Sequence, residues 1–362
     1  MVLGVLRQRV WNCLTVTSLN AANFGIERCA FLHCGSANGT NRIEKSCRAA
    51  PWSVLFFGTD EFALQSLKKL NDQYRLNKLL CRLEVVTAYK GKENAVIQYA
   101  NQHGIQIHPW PPTVSLKEFD VGLVVSFGHM IPVEMIESFP LGMINVHASL
   151  LPKWRGAAPI IHCLMNGDSR TGVTIMRIKP NKFDVGEILA QEETDIHPDE
   201  TMPQLYIKLA NIGADLLIRT IEKLPGALSD GQKQSDAEAT YARKINAKFS
   251  MIKWKDMSAK NIYDLQRALT GLYPLMTKFR DNTIKVFGIR VCEEPPRMPN
   301  LPKDKPGYVI YDKKRKLLLV QCKGESWISI DQIVVPGRKP MSAQDFRNGF
   351  IANQKEASIL FQ

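Results

Sequence analysis

Along the first two thirds of the chain, short unbroken apolar runs alternate with segments of helical period. Ser53-Val-Leu-Phe-Phe57 is a run of the buried-strand type, closed by Gly58-Thr59-Asp60. Apolar positions at Ala63, Leu64, Leu67 and Leu70 then predict a helix, with Thr59 or Asp60 as its cap. Leu83 to Ala88 reads as a second strand, Asn94 to Ala100 as a helix stopped near Gly104, and Val121 to Ser126 as a third buried strand. Pro109, Pro111 and Pro112 mark loops between them. Residues 132–138 supply a short helix before a strand that carries Asn145 and His147. Pro159 opens and Gly167 closes another helix, and strands follow at 172–178 and 187–190. Thr201 and Gln204 form a capping box for a long helix with Leu205, Leu209, Ile212, Leu216, Leu217, Ile221 and Leu224 on its apolar face. Strand and helix in alternation predict an α/β fold built on a doubly wound, mostly parallel sheet.

After Pro225-Gly226 the pattern changes. Residues 228–244 are polar and read as a linker. A helix using Ile262, Leu265 and Leu269 follows, stopped by Gly271. Then come β-rich runs at 283–291, 307–311, 317–321 and 327–335, broken by the Pro-rich stretch 295–306. Several short strands within about 80 residues predict a small closed barrel. The expected organisation is therefore a leader at 1–50, a catalytic unit at 51–227, the linker at 228–244 and a β domain at 245–362. A length of 362 residues agrees with more than one core.

Charge sharpens this division. The net charge is +12, and residues 245–362 carry +10 of it, with 21 Lys/Arg against 11 Asp/Glu. Such a skew favours a polyanionic partner, nucleic acid before a membrane surface, although by itself it fits a merely solvated basic face equally well. No apolar run approaches the roughly 18–20 residues that cross a bilayer, so no membrane partner is expected. The first acid is Glu27, while Arg7 and Arg9 sit among Val5, Leu6, Val10, Trp11 and Leu14 with hydroxyls after them. That is the composition of a disordered mitochondrial transit peptide, and it places the protein in the matrix. Eight cysteines without a Cys-x-x-Cys pair favour a reducing compartment.

The candidate chemistry lies where the strand before Pro152 gives way to a loop. Asn145 and His147 are two residues apart, so an amide and an imidazole share one strand face. Asp184 lies in a later loop beside Gly186. With no Gly-x-Ser-x-Gly elbow and no His-Glu-x-x-His pair, neither an α/β-hydrolase nor a metal centre is expected. The Asn, His and Asp suit acyl transfer without a covalent intermediate: an oxyanion donor, a proton acceptor and its orienting carboxylate. From spacing alone, a turn-capping Asn, a satisfied His and a solvated Asp fit somewhat better.

The run Asn145-Val-His147-Ala-Ser149-Leu150-Leu151-Pro152-Lys-Trp-Arg155-Gly156, with Thr171-Gly-Val-Thr-Ile-Met176 and Phe183-Asp184-Val-Gly186, resembles the 10-formyltetrahydrofolate-dependent formyltransferase family. The likeness covers about residues 53–349. Ile252-Lys-Trp254 and Gly337-Arg-Lys339-Pro-Met341 resemble its tRNA-formylating branch. It implies a Rossmann-like catalytic domain, an OB-like tRNA-binding barrel, and formyl transfer from 10-formyltetrahydrofolate to initiator methionyl-tRNA, releasing tetrahydrofolate, by a monomer without metal. It implies that Asn145, His147 and Asp184 are catalytic, that Ser149, Leu150, Leu151 and Pro152 bind the folate, and that Arg155 faces the tRNA end. Formyltetrahydrofolate hydrolysis, or formylation of a small-molecule amine, is the alternative within the family. The sequence departs from the family in its short Thr87–Glu93 loop, where bacterial members carry a long basic insertion. Lys90 and Lys92 are its expected remnant. Val185, where many members have Thr, is a second departure.

Overall fold

The computed structural model describes residues 49–88, 91–294, 296, 301–352 and 359–362. The leader reading, four of the cysteines and Lys90 lie outside these residues.

Seven strands form the first sheet: β1 (Trp52–Gly58), β2 (Leu80–Thr87), β3 (Ile107–Pro109), β4 (Val121–Val125), β5 (Met143–His147), β6 (Arg170–Arg177) and β7 (Ile188–Asp195). Their order is β3-β2-β1-β4-β5-β6-β7. The first five pair in parallel, and the β5–β6 and β6–β7 pairings are antiparallel, so the mostly parallel, Rossmann-like sheet is present. The chain winds outward from β1 to β3 and then returns to β4, which puts the topological switch point between β1 and β4. β3, at His108-Pro109, falls where sequence punctuation indicated only a loop. Its three residues are too few to show a period, and pairing with β2 alone defines it.

β1 alternates across the sheet. Val54 and Phe56 pack into the cluster under α1 (Glu61–Arg75) and α5 (Met202–Glu222), and Leu55 and Phe57 into a second cluster with Phe127, Phe139 and Met143. β5 divides in the same way: Ile144 and Val146 face the helices, whereas Met143 lies on the other face. Asn145 and His147 share that other face by strand parity. The remaining helices are α2 (Ala95–His103), α3 (Val133–Ser138), α4 (Pro159–Asn166) and the single turn α6 (Gly226–Ser229). α2 and α4 end on left-handed Gly104 and Gly167, as their sequence punctuation required. Gln204 accepts the Thr201 backbone N–H at 2.8 Å at the start of α5.

The C-terminal part opens with α7 (Ala259–Leu269) and continues through β8 (Leu275–Phe279), β9 (Asn282–Phe287), β10 (Arg290–Val291), β11 (Val309–Asp312), β12 (Leu317–Gln321), β13 (Trp327–Ile330), β14 (Gln332–Val334), β15 (Met341–Ser342) and α8 (Ala343–Phe346). The strands form two four-stranded antiparallel sheets, β10-β13-β12-β11 and β15-β14-β9-β8. The expected runs 283–291 and 327–335 are each one stretch of chain that changes sheet, at Gly288 and at Asp331. Asp331 donates its backbone N–H to Phe287 across this corner. Two sheets joined by such shared corners are compatible with the expected OB-like barrel.

The stretch 228–244 does more than tether the two parts. Gln232 bridges to Ile188 and Tyr241 to Arg155, and Ala242 is fully buried. α4 packs on α7, and one apolar cluster runs through Leu164, Leu265 and Trp254. At the same junction the buried Arg267 reaches Asp264 at 2.8 Å and the Glu200 carbonyl at 3.1 Å.

Candidate active site

β5 brings Asn145 and His147 to the carboxyl end of the sheet, one strand from the switch point. His147 is 6% exposed in its side chain, and its ring is held from both sides. Nε2 donates to the Trp154 carbonyl at 3.0 Å. A carbonyl only accepts, so Nε2 keeps its proton and Nδ1 is the nitrogen that gains or loses one. Nδ1 faces Asp184 Oδ1 at 3.7 Å, within ion-pair reach but too long for a hydrogen bond. Asn145 is half-buried, and its carboxamide makes no hydrogen bond to any described residue. The structure therefore brings together the amide, imidazole and carboxylate expected from the sequence, with the amide free to bind a ligand.

Asp184 is held in an uncommon backbone state, with φ of 55°. Its Oδ2 accepts the Gly156 N–H at 2.8 Å, and its carbonyl accepts from Gln234 Nε2 at 3.0 Å. The same Gln234 nitrogen donates to the Gly186 carbonyl at 2.8 Å. Two glycines make these approaches possible. A Cβ on Gly186 would lie 1.5 Å from the Arg177 carbonyl oxygen, and Gly156, at φ 124°, would place one 2.6 Å from that of Ala242.

Ser149, Leu150, Leu151 and Pro152 form a turn whose polar atoms are largely committed within the protein. Ser149 Oγ donates to the Lys153 carbonyl at 2.6 Å, and Thr174 Oγ1 donates to that of Ser149 at 2.6 Å. Gln191 Nε2 donates to the Leu151 carbonyl at 2.8 Å, while the Leu151 N–H donates to Thr174 Oγ1 at 3.0 Å. Ser149 and Leu151 are buried. Leu150 and Pro152 remain half-exposed and line a cleft of about 420 Å³ with Trp154, Asp168 and Arg170.

The structure corrects the reading of Arg155. Its guanidinium is buried, donating from Nε to Gln234 Oε1 at 3.0 Å and from Nη1 to Asp236 at 2.8 Å. It lies under the 232–242 stretch and does not present itself to an external polyanion. Charge assistance from Arg155 holds the exposed Asp236 carboxyl below its ordinary value. Lys92 is exposed, as a phosphate contact requires.

At the switch point lies a cluster that the sequence did not mark as functional. Asp60 caps α1 by accepting the N–H groups of Phe62 and Ala63, both at 3.1 Å, and accepts Ser126 Oγ at 2.6 Å from the end of β4. It keeps some surface exposed but sits deep among protein atoms, and desolvation raises its carboxyl above the ordinary value. Tyr206, also desolvated, is raised as well. The sequence placed Ser126 at the end of a buried strand with nothing to mark a side-chain contact, so the partner of Asp60 was not legible there. Among the described residues no group of three or more His, Cys, Asp or Glu is placed to hold a metal ion, and no helix is long and apolar enough to cross a membrane. Cys163 and Cys322 are free thiols that burial pushes up to about 12.

Comparison with known proteins agrees with this geometry. Residues 112–221 match the family described as Formyl transferase, and residues 244–351 match Formyl transferase, C-terminal domain. The mitochondrial methionyl-tRNA formyltransferase of Homo sapiens is 42% identical over 308 residues, 83% of this chain and 78% of that protein. The methionyl-tRNA formyltransferase of Geotalea daltonii is 33% identical over 82% of this chain and 95% of its own length. Among solved structures, the sugar 3N-formyl transferase WlaRD, determined with dTDP and 5-N-formyl-THF, aligns with a TM-score of 0.57 at 18% identity, covering 80% of this chain and all of that one. HypX from Aquifex aeolicus, in complex with tetrahydrofolic acid, aligns with a TM-score of 0.54 at 13% identity over 84% of this chain and 48% of that one. These two likenesses establish the shared fold. The identities to the curated relatives, extending over both units, show that the chain belongs to the methionyl-tRNA formyltransferase family.

Proposed function

We infer that this chain transfers the formyl group of 10-formyltetrahydrofolate to the α-amino group of methionyl-tRNA, giving formylmethionyl-tRNA and tetrahydrofolate for mitochondrial translation. Family membership supports the reaction, and the observation that carries the site assignment is the ring of His147. It is pinned at Nε2 by a carbonyl and turned at Nδ1 toward Asp184, beside an unengaged Asn145 carboxamide.

The donor supplies an electrophilic formyl carbon; a bond forms from it to the amine nitrogen, and its bond to N10 of the folate breaks. Asn145 directs an amide N–H at the oxygen where negative charge develops, in a setting where such a donor contributes most. His147 takes the proton released by the amine on Nδ1, and Asp184 stabilises the resulting imidazolium across the gap between them. His147 then returns that proton to N10 as the leaving amine departs, so acid and base are regenerated. The Ser149–Pro152 turn, made rigid by Thr174 and Gln191, walls the donor site. Initiator methionyl-tRNA is the acceptor, the protein acts as a monomer, and Lys92 with the basic 245–362 domain carries the tRNA backbone contacts.

The test is the incubation of the full chain with 10-formyltetrahydrofolate labelled in the formyl group, with and without methionyl-tRNA. Label on the methionyl-tRNA supports the reading. Free labelled formate, released equally in both, sinks it and leaves a hydrolase.

A further inference from the structure

Gln234 belongs to the polar stretch between the two units, yet all its described hydrogen bonds run to the active-site region. Nε2 has two hydrogens, and both are used: one on the Asp184 carbonyl at 3.0 Å and one on the Gly186 carbonyl at 2.8 Å. Oε1 accepts from Arg155 Nε at 3.0 Å. A single side chain thus joins the Asp184–Gly186 turn to Arg155, whose own N–H and carbonyl pair with Thr240 and Ala242 at 2.9 and 2.7 Å. The residue after Arg155, Gly156, donates to the Asp184 carboxylate.

We propose that Gln234 is a positioning residue for formyl transfer, which holds the Asp184 carboxylate against His147 and makes the geometry of the site depend on the connector between the domains. This rests on the reading of the site given above. The physical need is local. Asp184 has φ of 55°, a state that a residue with a side chain keeps only when its surroundings over-determine it. Gly156 anchors one end of the residue through Oδ2, and Gln234 anchors the other through the backbone. Without Gln234, two carbonyls lose their shared donor, and the turn is free to relax toward an ordinary φ. That rotation swings the carboxylate away from Nδ1, which already stands at 3.7 Å. The role fits an amide alone: the turn needs two donors on one nitrogen, and Arg155 needs an acceptor on the same side chain.

The connector leads directly into the basic domain, so docking of a polyanion there bears on the same strand of chain that fixes Asp184. An acceptor bound on the C-terminal domain would then meet a site whose carboxylate is set by the segment joining the two.

The experiment is a double-mutant cycle in the full chain with Gln234→Met, which keeps the shape and removes the polar atoms, and Asp184→Asn. Misplacement of a reacting group by about 1 Å costs on the order of 10²-fold, so Gln234→Met is expected to lower kcat by about 10–100-fold while the Kd for methionyl-tRNA changes less than about two-fold. In the Asp184→Asn background the same substitution is expected to cost less than about three-fold more, because its effect acts through Asp184. An equal loss in both backgrounds, or an unchanged kcat, overturns the proposal. The ¹⁵N signals of the His147 ring supply a readout independent of turnover. Gln234→Met is expected to shift Nδ1 in the direction that Asp184→Asn does, and an unshifted signal overturns the proposal even if the acceptor proves to be another amine. Absence of transfer by the parent chain, with the shift present, sinks the tRNA reading alone. If Gln234→Met fails to fold, Gln234→Glu keeps the acceptor for Arg155, loses both donors, and is expected to give the same non-additive loss and ring shift. Parent-like kcat or signals in that variant overturn the proposal.

Discussion

Asn145 separates binding from chemistry at the scale of single residues. Its carboxamide is unengaged in the free protein, so truncation leaves no buried partner unsatisfied, and the loss falls on the oxygen charge that develops during transfer. Asn145→Ala is therefore expected to lower kcat by about 10²–10³-fold with KM for methionyl-tRNA within about two-fold. Steady-state kinetics with both substrates varied checks this, and a rise in KM with normal kcat would assign Asn145 to binding instead. Asp60 makes a different residue-level prediction. Its folded pKa is raised by desolvation above the ordinary 3.8, so the folded state binds its proton more tightly than the unfolded chain does. The stabilisation is fully present below 3.8 and is lost as pH rises through the raised folded value. The parent should gain stability relative to Asp60→Asn as pH falls through that window, as followed by urea denaturation at several pH values. A stability difference that stays flat with pH would contradict the assignment. Asp184 entered the candidate trio through the family resemblance, whereas the shared face of Asn145 and His147 was legible from sequence because two-residue spacing on a strand fixes it. The environment of each member was not: the Trp154 carbonyl on His147 and the Gly156 N–H on Asp184 arise from loop closures across 7 and 28 residues.

Among the elements, the sheet corner of the C-terminal part shows how a single backbone state governs several strands. Gly288 joins β9 to β10 at φ 64°, and a Cβ there would stand 2.6 Å from that of Asp331. Gly288→Ala therefore combines a left-handed backbone with a contact that no flexible side-chain end can relieve. A cost of about 1–3 kcal/mol is expected, read as a lower urea midpoint with the slope unchanged. An unchanged midpoint would mean that the corner relaxes freely. The sequence presented 283–291 and 327–335 as unbroken β-rich runs, because β-branched residues continue past each corner and only pairing reveals the change of sheet. Helices were read closely because their ends carry local chemistry, as with Asn94 and Gly104 around α2. β3 was missed because a three-residue edge strand containing Pro109 carries no such signal.

The charge asymmetry acts on the molecule as a whole. With +10 on residues 245–362, binding of methionyl-tRNA should release counterions, and log affinity should fall linearly with log salt. Equilibrium binding between about 50 and 200 mM salt should show a loss of at least about 10²-fold if several phosphates are engaged. A flat dependence would exclude the basic domain as the docking face. Lys92→Ala should weaken binding and reduce that slope by about one contact, with kcat for bound substrate unchanged. The two units are held together by the α4–α7 packing and by the buried Arg267 of α7, which donates to the Glu200 carbonyl at 3.1 Å.

The sequence by itself determined most of the strands and helices of the first sheet, the helix ends and the seat of the positive charge, because periodicity, capping and charge are local properties of the chain, and its motifs nominated Asn145, His147 and Asp184 through a family resemblance. Only the tertiary structure decided that Arg155 is an internal strut, that the Ser149–Pro152 turn is clamped by Thr174 and Gln191, and that Gln234 of the polar stretch hydrogen-bonds the Asp184 and Gly186 carbonyls. Those outcomes depend on hydrogen bonds between residues up to about 80 positions apart, such as Arg155 and Gln234, separated by 79. A buried polar group must find such a partner wherever the fold brings one, and no local pattern records where that will be.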